Sequence, residues 1–388
     1  MSTLKVGALQ GISASSDAIT LANDGTCTAN ITNNLSNRNK VINGSMICSQ
    51  RGTSFSPGAS DQIYTLDRFQ HIASGGAAFD ATVTQDSSAP VGFSKSYKVT
   101  PDATHTPSGG GNALIKTRIE GQDLQELAYG GSDAKKVTVS FYAKSSSQNN
   151  GQQYTFQLRH FATDGTARSI NAPFTITSSF QRFTFSFVGD TAADIINTVA
   201  AGMELCWHLA AGPDDITSQH TTWVTTNLFT AVTGQSNFLD NTSNEFYFTG
   251  VQLEVDHTGS GVATDFEHRS FGQELALCQR YFHIIKTGSG EEFYLGQLQV
   301  YGSGACHGKY FHFPVTMRTK PTTTLSGNIT PTNSAGSFTT NFSSATFDRN
   351  SPEFVGSNNT SGSSGLSAGN TAAVALRENS SISSSAEL

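Results

Sequence analysis

The sequence predicts an all-β protein, a jelly-roll-like antiparallel β-sandwich with an N-terminal arm, a short linker helix and a smaller C-terminal β-domain. Three observations favour this fold class. Charged residues are only 14% of the chain, while 26 Phe and 37 Gly supply large apolar side chains and turns. Several segments alternate apolar and polar residues with the period of a strand. The 26 Phe also argue against a disordered chain, which lacks large apolar residues.

Residues 1–38 are predicted to form the N-terminal arm. Thr3–Gln10 has the pattern of a short strand, and Ile19–Leu21 and Cys27–Ile31 flank the turn sequence Asn23-Asp24-Gly25. A single hairpin is marginally stable in water. The arm therefore needs a partner, either identical arms from other subunits or a docking site on a larger particle.

Residues 39–268 are predicted to form the main sandwich. One face is apolar and the other polar in each of four segments, Val137–Lys144, Tyr154–Leu158, Phe183–Phe187 and Met203–Leu209. We expect about eight to ten strands, which indicates two packed sheets in a jelly roll or a related sandwich. Residues 121–129 are predicted to form a short helix or helical turn between strands.

Residues 269–282 are predicted to form the linker helix. Ser270 is a good N-cap, and Gln273 stands three residues later, where a capping box requires Glu or Gln. Four residues follow at steps of four, three and four and share one face: Phe271, Leu275, Cys278 and Phe282. One short helix cannot bury this stripe alone, so we expect it to pack against a neighbouring domain or a second copy of the chain.

Residues 283–388 are predicted to form the smaller C-terminal β-domain. Phe293–Tyr301 and Lys309–Val315 have strand patterns. Pro314 and Pro321 are expected at strand edges or ends, because Pro lacks the donor that a ladder of hydrogen bonds needs.

Charge and cysteine content exclude several classes of protein. The net charge of −7 argues against a nucleic-acid-binding protein, which usually has a basic domain or stripe. The five cysteines are an odd number without a C-x-x-C motif, so we expect small buried side chains in a reducing cytosol: Cys27, Cys48, Cys206, Cys278 and Cys306. No apolar run is long enough to insert into a membrane, and Met1–Gln10 lacks the apolar region of a signal peptide.

Several segments together resemble a known family. They are VINGSMICSQRG (41–52), YTLDRF (64–69), GVQLEV (250–255), FEHRSFGQELALCQRYF (266–282) and FPVTMRTKPT (313–322). This order is similar to the tail-fibre and virion structural proteins of tailed bacteriophages, especially marine ones, and residues 117–187 resemble a carbohydrate-binding module. The resemblance implies a location in the virion, a homotrimer, attachment to other tail or virion proteins through residues 1–38, and recognition of a host-surface glycan.

The sequence contains no convincing catalytic or metal-binding motif. Glycan hydrolysis needs two carboxylates in one cleft, and the sequence offers three candidate pairs: Asp214-Asp215, Glu291-Glu292 and Asp265/Glu267. The first pair is predicted to lie in a loop. His307 and His312, near Cys306, are five residues apart and would face opposite ways on a strand, which disfavours a shared metal ion. We expect no catalytic residue, metal or cofactor.

Two tryptophans differ in their predicted roles. Trp207 lies on the apolar face of its strand and is predicted to be core. Trp223, with His220 close by, falls in a long Thr/Asn-rich connection, where an aromatic ring can stack on a sugar. We therefore take Trp223 and His220 as candidate ligand contacts, with packing at the edge of the sandwich as the alternative for Trp223.

The function that follows is a non-enzymatic phage virion structural protein, a tail fibre that contributes to host-surface glycan recognition. Several weak sites on one particle would bind together through avidity. Two alternatives remain open: a capsid-surface fibre or decoration protein, and a glycan depolymerase.

Overall fold

The computed structural model describes residues 6–12, 18–21, 23, 27–29, 37–225, 229–256, 259–302, 305–309, 313–333, 336–337, 353–357, 369 and 371–388. Their regular structure is almost entirely β, as the sequence predicts. Two separate hydrophobic cores form, one from residues 41–255 and one from residues 295–386.

The N-terminal arm contains a small antiparallel sheet in the order β1-β2-β3, with strands β1 (Ala8–Leu9), β2 (Ile19–Leu21) and β3 (Cys27–Ala29). The pairing of β2 with β3 confirms the predicted hairpin, although most of its turn lies outside the described residues. Leu9 and Ile12 are exposed apolar side chains of this arm.

The main domain is a jelly-roll-like sandwich of two six-stranded sheets. Its strands are β4 (Ser54–Phe55), β5 (Gln62–Tyr64), β6 (Gln70–Ser74), β7 (Ala81–Asp86), β8 (Ser96–Pro101), β9 (Asn112–Glu120), β10 (Val137–Ser145), β11 (Gln153–Phe161), β12 (Ala167–Thr175), β13 (Gln181–Phe187), β14 (Ala201–Ala211), β15 (Ile216–Thr217), β16 (Ala231–Val232) and β17 (Phe246–Val255). The first sheet has the order β13-β10-β17-β8-β7-β4, and the second has the order β12-β11-β14-β9-β6-β5. Strand pairs in both sheets are antiparallel, while β15 and β16 form a separate parallel pair.

The core of the sandwich follows the predicted alternation. On β10 the side chains of Val137, Val139, Phe141 and Ala143 are all buried. Trp207 is fully buried, as predicted, and its ring centroid lies 5.5 Å from that of Phe141 across the two sheets. A 3-10 helix at Gly121–Leu127 confirms the helical turn predicted between strands. Two shorter 3-10 helices span Pro213–Asp215 and Phe238–Asp240.

Strand β17 differs from the sequence pattern because both of its faces are buried, not one. The residues after β17 fold back over the side of the strand that carries Gln252 and Glu254. Glu254 accepts a hydrogen bond from the Thr264 amide at 2.8 Å, and Gln252 donates to the Thr264 hydroxyl at 3.2 Å. Because these polar side chains find partners in the following segment, they are buried without the cost of unpaired groups.

The linker helix α1 (Phe271–Gln279) begins with the predicted capping box between Ser270 and Gln273. Its buried residues are Glu274 and Cys278, and the Glu274 carboxylate accepts a hydrogen bond from the Asn43 amide at 2.5 Å. The helix therefore packs on the loop that opens the main domain.

The four residues of the predicted stripe do not share one buried face. Cys278 is buried inside the subunit, Leu275 is half-buried, and Phe271 is 57% exposed. The chain leaves the helix before Phe282, which is buried in the next strand. The predicted stripe assumed helical geometry through residue 282, and this extension is wrong. The role of these residues in an interface between copies remains a prediction.

The C-terminal domain contains two further sheets. Its strands are β18 (Phe282–Lys286), β19 (Phe293–Gly302), β20 (Ala305–Lys309), β21 (Thr322–Ser326), β22 (Ile329–Asn333), β23 (Gly336–Ser337), β24 (Glu353–Ser357), β25 (Thr371–Leu376) and β26 (Ser381–Ser385). They are ordered β18-β26-β21 and β23-β22-β25-β19-β20-β24. The strand predicted at Phe293–Tyr301 is confirmed. Of the strand predicted at Lys309–Val315, Lys309 is the last residue of β20, residues 310–312 lie outside the described residues, and residues 313–315 are not in a strand.

The last residues of the chain lie at the junction of the two domains. Glu387 pairs with the buried Arg68 and, at 3.0 Å, with Arg51. The Arg68 guanidinium lies 3.4 Å from the ring centroid of Tyr281. Tyr281 in turn donates its hydroxyl to Glu120 at 2.6 Å. Buried ion pairs and ring contacts therefore connect the sandwich to the C-terminal domain.

Candidate polar face on the second sheet

The outer side of the second sheet carries two adjoining rows of polar side chains. Strand register places one row across all six strands: Tyr64, Gln70, Lys116, Cys206, Gln157 and Asn171. A second row lies beside it: Arg118, Glu204, Arg159 and Ser169. Successive strand residues face opposite sides, so these alternate with core residues such as Ile115 and Leu205. We call the two rows the polar face.

One carboxylate lies among three cations on the polar face. Glu204 is fully buried and accepts hydrogen bonds from the Arg118 Nε at 2.6 Å and from Arg159, while the Lys116 Nζ lies 3.1 Å away. Burial by itself raises the pKa of the Glu204 carboxyl, but Lys116, Arg159 and Arg118 outweigh burial and lower that pKa to about 2. The carboxylate is therefore ionised at neutral pH, and the cluster has a net charge of +2, from three positive groups and one negative group.

A neutral hydrogen-bond network adjoins this cluster. His208 donates from Nε2 to the Gln157 Oε1 at 3.0 Å, and Gln157 donates to the Thr230 hydroxyl at 2.9 Å. Asn171 donates to the same Thr230 at 3.3 Å. Burial lowers the pKa of His208 to about 3, with a further contribution from Arg159, so the ring is neutral at pH 7.

The connection between β15 and β16 covers part of the polar face. Thr230 in this connection accepts the hydrogen bonds of Gln157 and Asn171. In the next strand, the Val232 amide of β16 donates to the Thr155 hydroxyl at 2.9 Å. The Phe229 ring centroid lies 4.7 Å from the Arg159 guanidinium and 5.4 Å from the Lys116 Nζ. This cover buries Lys116 and Arg159.

Four side chains on the polar face, on the neighbouring part of β11 or on the cover are half-buried: Gln70, Arg118, Phe161 and Phe229. We call them the open edge of the polar face. They combine two aromatic rings with an amide and a guanidinium. Rings of this kind pack against the C–H faces of sugars, and amide or guanidinium groups hydrogen-bond to sugar hydroxyls. The open edge therefore contains the types of side chain that contact saccharides.

The candidate ligand contacts Trp223 and His220 lie at the margin of the second sheet. The Trp223 Nε1 donates to the Val188 carbonyl at 2.7 Å, and its ring lies 5.8 Å from that of Tyr129, centroid to centroid. Trp223 packs against the first core, and His220 is half-buried. The neighbouring Val224 pairs with Ser169 and continues the sheet beyond β12. These contacts favour packing for Trp223, and a ligand role for both residues remains a prediction.

The candidate carboxylate pairs are occupied by local interactions. Asp215 accepts a hydrogen bond from Asn112 within a short helical turn. Glu291 accepts from a backbone amide at 2.6 Å, and Glu292 pairs with an arginine. The Glu267 carboxylate accepts from two backbone amides at 2.6 and 2.7 Å. Each of these carboxylates therefore has a role in its own loop.

The candidate metal ligands of the sequence are not tested by the described side chains. Among the described residues, no group of three or more His, Cys, Asp or Glu is arranged to hold a metal ion. The side chains of Cys306, His307 and His312 lie outside the described part of the structure. Cys48, Cys206 and Cys278 are free and buried.

Sequence reasoning missed the charged cluster of the polar face. Its signal is present in β9, where Lys116, Arg118 and Glu120 occupy every second position, and in the largely apolar β14, whose polar side chains are Glu204 and His208. Alternating charges on one strand predict a solvated face. Only strand register brings Arg159 and Glu204 beside them.

No family model matches this sequence, and no curated protein matches it significantly. Similar solved structures include tailspike protein 4 of bacteriophage CBA120, in its enzymatically active domain, with 14% identity over 56% of this chain and 21% of that chain and a TM-score of 0.30. A family 11 carbohydrate-binding module of Clostridium thermocellum is 12% identical over 52% of this chain and 94% of its own, with a TM-score of 0.27. The xylan-binding CBM22-1 domain of Paenibacillus barcinonensis Xyn10C is 9% identical over 52% and 92%, with a TM-score of 0.27. At these low scores the similarities assign no function to the chain.

Within the described residues, no helix has the length and apolar character needed to cross a bilayer.

Proposed function

We propose that this chain is a structural protein of a tailed-phage particle, a tail fibre that binds host-surface saccharide without cleaving it. The observation that carries the saccharide part is the open edge of the polar face. There the ring centroids of Phe161 and Phe229 lie 5.2 and 4.7 Å from the Arg159 guanidinium. The fully buried Glu204 accepts hydrogen bonds from both Arg159 and the half-buried Arg118. A guanidinium held in place loses little entropy when it binds a ligand, which favours affinity.

The virion part of the proposal is supported by the sequence resemblance and by the arm. The exposed Leu9 and Ile12 give the arm an apolar surface that attachment to another virion protein would cover. Phe271, 57% exposed on α1, is a second apolar residue available for contact between copies. A homotrimer would bury such residues under closed symmetry and present three saccharide sites together.

Binding without cleavage is supported by the carboxylates. Hydrolysis of a glycosidic bond needs two carboxylates facing one substrate. Asp215, Glu267, Glu291 and Glu292 are all engaged by neighbouring protein groups. On the polar face, Glu204 is fully buried and bound to three cations.

Saccharide binding is tested on a glycan array with the full-length protein, followed by calorimetry on the hits. We expect dissociation constants of about micromolar to millimolar per subunit, and roughly 10²-fold tighter binding when several sites act together. Incubation with the protein should leave the chain length of each bound saccharide unchanged. An array without hits would remove the saccharide part, and shortened products would favour the depolymerase alternative.

The position on the particle is tested separately by gold labelling of the chain on intact phage. Label along the tail supports a tail fibre, and label on the head supports the capsid-surface alternative. Light scattering at micromolar concentration should give three times the monomer mass of 41.1 kDa. A stable monomer would contradict the trimer and leave the saccharide site unaffected.

A further inference from the structure

We propose that the open edge of the polar face prefers acidic saccharides, and that Arg118 contacts their carboxylate or sulfate group. The inference rests on the proposed saccharide-binding function and adds a substrate class to it.

The cluster around Glu204 carries a surplus of positive charge. Lys116, Arg118 and Arg159 surround one carboxylate, Glu204. The adjacent His208 is neutral, as derived above, so it adds no charge of either sign. Charges removed from water are costly unless they are paired, and a cluster with two uncompensated positive charges is stabilised by an anion.

The positive charge of this cluster contrasts with the net charge of the whole chain. Its net charge of −7 disfavours the approach of a polyanion. A local charge of +2 on the polar face therefore marks a place where an acidic ligand would be bound instead of repelled.

Arg118 is the most accessible cation of the cluster. Its side chain is 27% exposed, compared with 7% for Lys116 and 4% for Arg159. The Arg159 guanidinium also lies near two rings, 4.7 Å from the centroid of Phe229 and 5.2 Å from that of Phe161. Arg118 is thus the member of the cluster that a ligand can contact without displacing the cover.

Only one of the three guanidinium nitrogens of Arg118 donates to Glu204. This nitrogen is Nε, which donates at 2.6 Å. Among the described residues, neither terminal nitrogen of Arg118 donates a hydrogen bond to a protein acceptor, so both are available to a ligand. A guanidinium presents such donors as a planar fork that matches the two oxygens of a carboxylate or sulfate.

The experiment compares acidic oligosaccharides with their neutralised forms by calorimetry on the full-length oligomer. One arm uses hexagalacturonate and its methyl ester, and the other uses a sulfated hexasaccharide and its desulfated form. We expect the acidic form in at least one arm to bind roughly 10-fold tighter than its neutral counterpart. The arm that shows the difference identifies the anionic group.

Two variants of Arg118 assign the preference to that residue. Arg118→Gln should remove the preference, so that the acidic and neutral forms bind within about twofold of each other. Arg118→Lys keeps the charge and loses the fork, and should keep part of the preference even if the Gln variant does not fold. Lys98→Gln removes one positive charge from the first sheet, where Lys98 pairs with Glu245 at 2.7 Å, and should leave the preference unchanged.

The outcomes separate this inference from the proposed function. Equal binding of the acidic and neutral forms by the unaltered protein overturns the anion preference and leaves saccharide binding in place. An unchanged preference in folded Arg118→Gln overturns the assignment to Arg118. No binding of any form, with no hit on the array, overturns both.

Discussion

Replacing Glu204 by Gln tests whether the cluster on the polar face stabilises the sandwich. The substitution keeps the size of the side chain and leaves Lys116, Arg118 and Arg159 close together without their carboxylate. The pKa of Glu204 is lowered from 4.5 to about 2, which corresponds to about 3 kcal/mol of favourable interaction in the folded state. Removing one partner from a buried ion pair also costs about 3–5 kcal/mol in other proteins.

We therefore expect Glu204→Gln to lower the free energy of unfolding by about 3 kcal/mol at pH 7, measured by urea titration. A matched control is Glu126→Gln, because Glu126 pairs with Lys40 at 2.5 Å but its side chain is 31% exposed. The control should cost less than about 1 kcal/mol. Because the folded pKa of Glu204 is depressed, its contribution is complete above pH 4.5 and is lost as the pH falls through about 2. A loss below about 1 kcal/mol at pH 7 would refute the reasoning.

Three further predictions concern other parts of the molecule. Burial lowers the pKa of His71 to about 4 and that of His208 to about 3, from 6.5, so the unfolded chain takes up protons first. The free energy of unfolding should then fall below pH 6.5 by about 1.4 kcal/mol per pH unit for each histidine, and a flat urea-titration profile from pH 7 to 5 would contradict this. Trp223→Ala should cost about 2 kcal/mol of stability and change saccharide affinity less than twofold if the ring is packing; lost binding with an unchanged melting temperature would instead make Trp223 a ligand contact. Glu387→Ala leaves the buried Arg68 without its main partner and should destabilise the domain junction by about 3–5 kcal/mol. Scanning calorimetry should then show a lower melting temperature, and an unchanged thermogram would contradict the predicted role of Glu387.

Local signals in the sequence predicted much of the fold. The alternation of Val137–Lys144 predicted β10 and its buried face, and Trp207 was predicted to be core. Ser270 and Gln273 predicted the start of α1, because a capping box depends on residues only three positions apart. Patterns of this kind are set by backbone geometry within one element.

Other features depended on residues far apart in the chain. The buried side of α1 contains Glu274, not Phe271 and Leu275, because the main domain offers a backbone amide at Asn43 for that carboxylate. A helical stripe identifies side chains on one face, but it does not identify what that face contacts. Strand β17 likewise buries both faces because later residues fold over it.

The sequence by itself determined that this protein is an all-β sandwich with a capped helix, since strand period and capping are local properties of the chain. The tertiary structure decided where its polar chemistry lies. Glu204 meets Arg118 and Arg159 through strand pairing over 86 and 45 residues. Because register across a sheet is fixed by the packing of the whole domain, no single segment of the sequence could reveal this cluster.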